Sequence, residues 1–199
     1  MDYRSSSHPG IDYHLHSNAS HDGTGSVEEY CVRASAVGFK ELGFANHMDF
    51  HPSLPHAGKY DHENFLREAE RTRERYPEIV LRVGVEVTYQ PKLEDEISGA
   101  LNGLKLDYAL GSVHIVGEEC FCITEKDGAE RYFQDKFSSL EAYGPYFETV
   151  MALVRSGLFD ALGHMDVIKK FATALGDSAE LFEIREFYGP VRKILEGLT

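Results

Sequence analysis

The sequence predicts an α/β fold of parallel strands joined by helices, on three observations. Strand-like and helix-like hydrophobic patterns alternate along most of the chain in the order βαβαβαβαβα. Five short apolar runs end in His or Glu: Ile11-Asp12-Tyr13-His14-Leu15-His16, Leu42-Gly43-Phe44-Ala45-Asn46-His47, Leu81-Arg82-Val83-Gly84-Val85-Glu86, Tyr108-Ala109-Leu110-Gly111-Ser112-Val113-His114 and Phe159-Asp160-Ala161-Leu162-Gly163-His164. Right-handed crossovers bring the carboxyl ends of parallel strands to one side of an open sheet or barrel, so one kind of side chain repeated there implies a site at that end. No repeat or linker divides the 199 residues, whose length and 42% hydrophobic content suit one domain with a substantial core.

Each element has a local reason. Residues 11–16 read as the first strand. Ser26-Val27-Glu28-Glu29 has the form of a capping box, starting a helix that runs to about Val37 and stops at Gly38. The second strand, 41–47, leads into a loop rich in His and Pro. Asp61 then caps a helix carrying Phe65, Leu66 and Ala69 that ends before Pro77. Strand three, 79–86, is an almost unbroken β-branched run, the mark of a strand covered on both faces. Pro91 opens a helix with Leu93, Ile97, Ala100, Leu101 and Leu104 at spacings of three and four, and strand four, 106–114, follows directly. Residues 115–135 read as an irregular charged insertion. Ser138 then begins a long amphipathic helix with Tyr146, Phe147, Val150, Met151 and Val154 on its stripe, broken at Gly157. Strand five, 158–164, precedes a polar connection and a last helix from about Pro190.

Composition excludes several function classes. Lys and Arg number 20 against 33 Asp and Glu, a formal charge of −13, and no basic block interrupts that acidity, so an extended nucleic-acid surface is disfavoured and a small substrate expected. The three cysteines, Cys31, Cys120 and Cys122, lack the spacing of a disulfide framework or zinc finger, which points to a reducing cytoplasm. Cys120-Phe121-Cys122 lies away from the strand ends, against a ligand role; Cys31 reads as a small buried residue. The first ten residues lack a signal-peptide core, and no apolar run is long enough for a bilayer, so a soluble, non-exported protein is expected. Neither a Gly-x-Gly-x-x-Gly after the first strand nor a Gly-Lys-Ser/Thr occurs, which disfavours a nucleotide fold.

The strand-end residues suit metal ions. His14 and His16 point to the same side of an extended backbone because side chains alternate with period two. His21, His47, His114 and His164 add imidazoles, and Glu86 adds a carboxylate whose burial without a cation would be costly. His8, His51, His56 and His62 do not share that placement, although His51 and His56 lie in a loop that can line a substrate pocket. Ser17 and Ser112, beside ligands, are candidates for supporting hydrogen bonds.

The ordered set Asp12-Tyr13-His14-Leu15-His16, His21, Asn46-His47, Gly84-Val85-Glu86, Gly111-Ser112-Val113-His114 and Gly163-His164-Met165-Asp166 resembles the polymerase and histidinol phosphatase (PHP) superfamily. Tyr89-Gln90-Pro91, the run from Leu106 to His114 and the run from Gly157 to Phe171 resemble its histidinol-phosphatase branch, so the likeness covers roughly residues 11–172. The resemblance implies a distorted (β/α)7 barrel with two to three divalent ions, zinc, manganese or iron, at its C-terminal mouth. It implies that His14 and His16 bind the first ion, that Glu86 bridges first and second, that His114 and His164 complete the second, and that His21 and His47 hold the third. Glu86 and His114 would be indispensable to catalysis. The implied reaction is hydrolysis of a phosphomonoester, L-histidinol phosphate, by a metal-bridging hydroxide.

The family's final Asp-x-His motif is missing, and the chain stops after five recognisable strands; Asp177, in Gly176-Asp177-Ser178, has no His at the right spacing. The barrel is therefore expected to lack its last two strands, through C-terminal truncation of a longer gene product or, as the alternative, as a natural short form. The first and third metal sites would each be one ligand short, and the exposed edges would favour a homodimer or a rearrangement of the terminal segment. Lys169 and Lys170 are candidate phosphate contacts, with a solvated surface pair as the alternative. Two other readings stay open at this level: a metal-binding remnant without activity, and a PHP nuclease or phosphoesterase of other specificity.

Overall fold

The computed structural model describes residues 10–134, 136, 139–171 and the isolated positions 189, 192, 193 and 196. β1 (Gly10–Leu15) is followed by α1 (Val27–Val37), β2 (Phe39–His47), α2 (His62–Arg75), β3 (Val80–Thr88), a 3-10 turn (Pro91–Leu93), α3 (Glu94–Asn102) and β4 (Tyr108–Ser112). Then come β5 (Ile115–Val116), β6 (Phe121–Cys122), α4 (Lys126–Phe133), α5 (Ser139–Ser156), β7 (Ala161–Leu162) and a 3-10 turn (Val167–Lys169). β1, β2, β3, β4 and β7 pair side by side in that order, all parallel, and the sheet curls into an open half-barrel. Spatial order equals chain order, so every crossover winds the same way and all strand carboxyl ends share one rim.

The helix boundaries follow the predicted chemistry. The Ser26 hydroxyl accepts from the Glu29 backbone N–H while the Glu29 carboxylate accepts from the Ser26 N–H, the reciprocal capping box. Gly38, at φ 89°, takes the left-handed conformation that ends α1. Asp61 accepts from the Asn64 N–H and starts α2.

β3 shows how the sheet separates core from site. Leu81, Val83, Val85 and Val87 are buried and belong to the apolar clusters between sheet and helices. The first two pack in a cluster with Val27, Cys31, Phe44 and Phe65; the last two pack in one with Ile97, Tyr146 and Val150. The alternate residues Arg82, Gly84, Glu86 and Thr88 point to the concave face. From Val83 onward both faces are buried, as expected, but the concave one is covered by polar groups. At its amino end Tyr108 fills the space over Gly84, where a Cβ would meet the ring at 2.5 Å, and the Tyr108 hydroxyl donates to the Tyr13 carbonyl at 2.7 Å.

Several boundaries differ from expectation. β3 continues two residues past Glu86, and the third helix begins as a 3-10 turn before α3. The segment read as irregular contains the antiparallel β5–β6 hairpin and α4, held down by buried Ile115, Val116, Ile123, Ala129 and Tyr132. Two-residue strands offer too few positions for a periodic signal. The fifth strand shortens to Ala161–Leu162. Ser138, Asp177 and most of the expected last helix lie outside the described residues. No helix among the described residues is long and apolar enough to cross a membrane.

Candidate metal centre

Five strand ends converge on one carboxylate. Glu86 is 1% exposed, and its register partner on β2 is His47. Glu86 Oε2 lies 3.1 Å from His14 Nε2, 3.2 Å from His16 Nε2 and 3.5 Å from His47 Nε2. Its Oε1 lies 2.9 Å from His164 Nε2 and 3.3 Å from His114 Nε2. The two oxygens thus face different imidazole sets. A second carboxylate, Asp22, lies 3.0 Å from His16 Nδ1 and 3.5 Å from His47 Nε2. A third, buried Asp49, lies 3.3 Å from His47 Nδ1 and 3.1 Å from His56 Nε2.

These contacts test whether the residues suit divalent cations, and they do. Ligand atoms lie within 4.8 Å of one another in His14/His16/Glu86, Glu86/His114/His164 and His16/Asp22/His47. His47/Asp49/His114 and His21/Asp49/His56 satisfy the same distance. His114 Nε2 and His164 Nε2 approach to 3.3 Å, and Glu86 Oε1 has no aligned hydrogen bond although it is buried. Imidazole nitrogens aimed at each other and at an unsatisfied carboxylate gain little without a cation between them. The clusters can therefore coordinate divalent ions.

The same crowding shifts the titrations. Burial raises the Glu86 pKa, but the close approach of the His114, His14, His16 and His164 imidazoles outweighs it and holds the carboxyl well below its usual range. Burial works against protonated His16, yet Asp22 and Glu86 win and lift it to about 9. Burial is likewise overcome at His47, where Asp22, Asp49 and Glu86 lift it to about 10. His21 is lowered to about 4, first by burial and then by the charges of His47 and His56. In the metal-free chain His16 and His47 therefore keep their protons at pH 7.5, and a metal must displace them.

Opposite pH trends are expected. The stability that the raised His16 and His47 pKa values give the metal-free fold is fully present below the ordinary value of 6.5 and is lost as pH rises through about 9 to 10. Metal affinity should rise over that interval. Calorimetry of zinc binding at pH 7.5, in buffers of different ionisation enthalpy, should register proton release; its absence would contradict the pairing.

The structure brings His14, His16, His47, Glu86, His114 and His164 into one cavity of about 540 Å³, which Lys170 also lines. Lys170 Nζ donates to the Thr124 carbonyl at 3.0 Å, whereas Lys169 pairs with Asp166 at 3.6 Å and does not line the cavity. His21 lines the cavity too, but it stacks on His56 with ring centroids 3.3 Å apart, and Asp22 is the carboxylate that faces His16 and His47. His51 lies in a different cavity. The Ser17 hydroxyl and N–H both donate to the Asn46 side-chain oxygen, while Ser112 Oγ has no aligned partner. His56 lines the cavity, as its loop position allowed, whereas sequence reasoning missed Asp22, Asp49 and Thr88. Asp22 adjoins His21 in the sequence, but a turn carries no period from which to choose between them. Cys122 also lines the cavity, delivered by the hairpin, yet belongs to no ligand group among the described residues.

Fold and site together define an open α/β half-barrel whose clustered imidazoles and carboxylates can coordinate divalent metal ions. The family model for the PHP domain matches residues 12–197, and the chain belongs to that family. It is 30% identical over 164 residues to a probable histidinol-phosphatase of Deinococcus radiodurans, covering 80% of this chain and 62% of that protein. It therefore spans less than two thirds of that relative's length. In fold it is similar to a putative histidinol phosphatase of Listeria monocytogenes, with a TM-score of 0.82 at 20% identity over 95% of this chain and 78% of that one. It is also similar to histidinol phosphate phosphatase of Lactococcus lactis, solved with zinc, L-histidinol and phosphate, with a TM-score of 0.71 at 19% identity over 94% of this chain and 67% of that one.

Proposed function

We propose that the chain is a metal-dependent phosphomonoester hydrolase whose substrate is L-histidinol phosphate, hydrolysed to L-histidinol and phosphate. The observation that carries the reading is the division of the Glu86 carboxylate between His14/His16 on one oxygen and His114/His164 on the other, the donor arrangement of a bridging ligand. On this reading His14, His16 and Glu86 hold one ion, and Glu86, His114 and His164 a second. His47, Asp22 and the neighbouring His21 supply a third position. The donor set of imidazoles and carboxylates suits zinc, manganese or iron. Such ions would neutralise phosphate oxygens and lower the pKa of a bound water enough to supply a nucleophile near neutral pH.

The chain's own residues set the rest. Glu86 stays ionised because its imidazole neighbours outweigh its burial, so it offers an anion to both sides of the centre. Six imidazoles contribute no negative charge, which keeps the centre cationic inside a chain of formal charge −13 and selects an anionic group. Lys170, at the cavity wall, can reach a phosphate as a point charge. Ser53, Leu54, Pro55, Cys122 and Thr124 also line the cavity. The aminoalcohol part of the substrate rests on the names of the relatives.

The test is phosphate release from L-histidinol phosphate and p-nitrophenol release from bis-p-nitrophenyl phosphate by the purified chain, with zinc, manganese or iron and with a chelator. Metal-dependent turnover of the monoester is expected. Hydrolysis of the diester alone, or no turnover by metal-replete protein, would contradict the proposal.

A further inference from the structure

We propose that Asp49 and Thr88 are positioning residues that fix which ring nitrogen His47 and His114 turn toward the metal centre. This rests on the reading above that both histidines are ligands. A ligating imidazole offers one nitrogen lone pair and carries its proton on the other nitrogen, so an acceptor placed behind the ring selects the tautomer and the ring angle.

Both rings show that arrangement. Nε2 of His47 and of His114 face Glu86 at 3.5 and 3.3 Å. Their Nδ1 atoms face away. His114 Nδ1 lies 2.8 Å from Thr88 Oγ1, and His47 Nδ1 lies 3.3 Å from Asp49 Oδ2. The Thr88 backbone N–H donates to Asp49 Oδ1 at 3.1 Å, so the two supports form one connected unit. Both are out of solvent, Thr88 at 0% and Asp49 at 4% exposure. Asp49 Oδ1 accepts from the Thr88 N–H, while its buried Oδ2 lies close to His47 Nδ1 and His56 Nε2 without an aligned hydrogen bond, so a small turn of the His47 ring completes the pair.

The spacing explains the geometry. Thr88 stands two residues beyond Glu86 on β3, so period-two alternation returns its side chain to the concave face just past the bridging carboxylate. Asp49 stands two residues beyond His47, where the chain has left β2. Its carbonyl accepts from the Gly58 N–H at 2.9 Å, closing the 49–58 loop beside the cavity. Because Asp49 thus also shapes a loop, stability alone cannot reveal its part in orienting His47.

The experiment measures zinc affinity of the full chain by competition with a chromogenic chelator. It also reads the histidine Nδ1–H resonances of the zinc-loaded protein by nitrogen-edited NMR, with circular dichroism checking that each metal-free variant is folded. Asp49→Ala and Thr88→Val should each weaken zinc binding about 10- to 100-fold. Asp49→Ala should lose the protected Nδ1–H signal of His47 and Thr88→Val that of His114. Asp49→Asn, which retains an acceptor oxygen, should restore the His47 signal and most of the affinity. Thr88→Val keeps its shape and its backbone N–H to Asp49, so it serves even where Asp49→Ala fails to fold. Folded variants with unchanged affinity and signals would overturn the proposal. So would Asp49→Asn that loses a whole zinc equivalent, because Asp49 would then be a ligand itself. A wild-type chain that takes up no zinc would overturn the metal reading, a result distinguishable from failure of the positioning role.

Discussion

Glu86→Gln is expected to lower kcat/KM for the phosphomonoester by at least about 100-fold, more than the usual loss for a supporting residue, and to reduce bound metal measured on the same sample. The substitution keeps the volume and removes the charge. Glu86 is buried within 3.5 Å of five imidazole nitrogens, and a neutral amide there cannot balance two cations. Its NH2 group would also point a donor at nitrogens that must themselves offer lone pairs. In the metal-free chain the raised pKa values of His16 and His47 should fall, because Glu86 is one of the groups that raises them. Full metal content with unimpaired turnover would contradict the assigned role.

Phe44→Ala is expected to cost about 3–5 kcal/mol of stability, measured by denaturant unfolding of the metal-free chain. Phe44 is 1% exposed and meets Tyr30 and Phe65 edge-on, at centroid distances of 5.5 and 5.9 Å. It joins α1 and α2 to β2, three residues before His47, so its loss opens a cavity beneath a strand that supplies the site. A cost under about 1 kcal/mol would show that the helices collapse onto the sheet without it.

Much of this could be read directly from the chain because strand geometry amplifies it. His14, His16, His47, Glu86, His114 and His164 each sit at or just past the end of an apolar run, and parallel pairing turns that shared linear position into spatial convergence. Ser26 with Glu29, Gly38 and Asp61 were legible for a similar reason, since capping acts through the nearest backbone groups. What lay outside regular elements was hidden. Asp22 and His21 are neighbours in a turn, and only the path of that turn decides that the carboxylate faces His16 while the imidazole stacks on His56. Asp49 follows a strand end by two residues and Thr88 follows a ligand by two, but neither carries a mark that separates it from any buried Asp or Thr. The β5–β6 hairpin escaped because its strands are two residues long, too short to show a period. That hairpin is what carries Cys122 to the cavity, near Lys170 from a segment 48 residues later.

On the proposed function, Glu86 stands between two metal ions held by strand-end histidines. Anomalous diffraction from crystals of the zinc-loaded chain tests it most directly. The account predicts two peaks flanking the Glu86 carboxylate, one about 2.0–2.1 Å from nitrogens of His14 and His16 and the other at the same distance from His114 and His164. Zinc-saturated crystals with no peak beside Glu86, or with zinc bound only elsewhere, would contradict it.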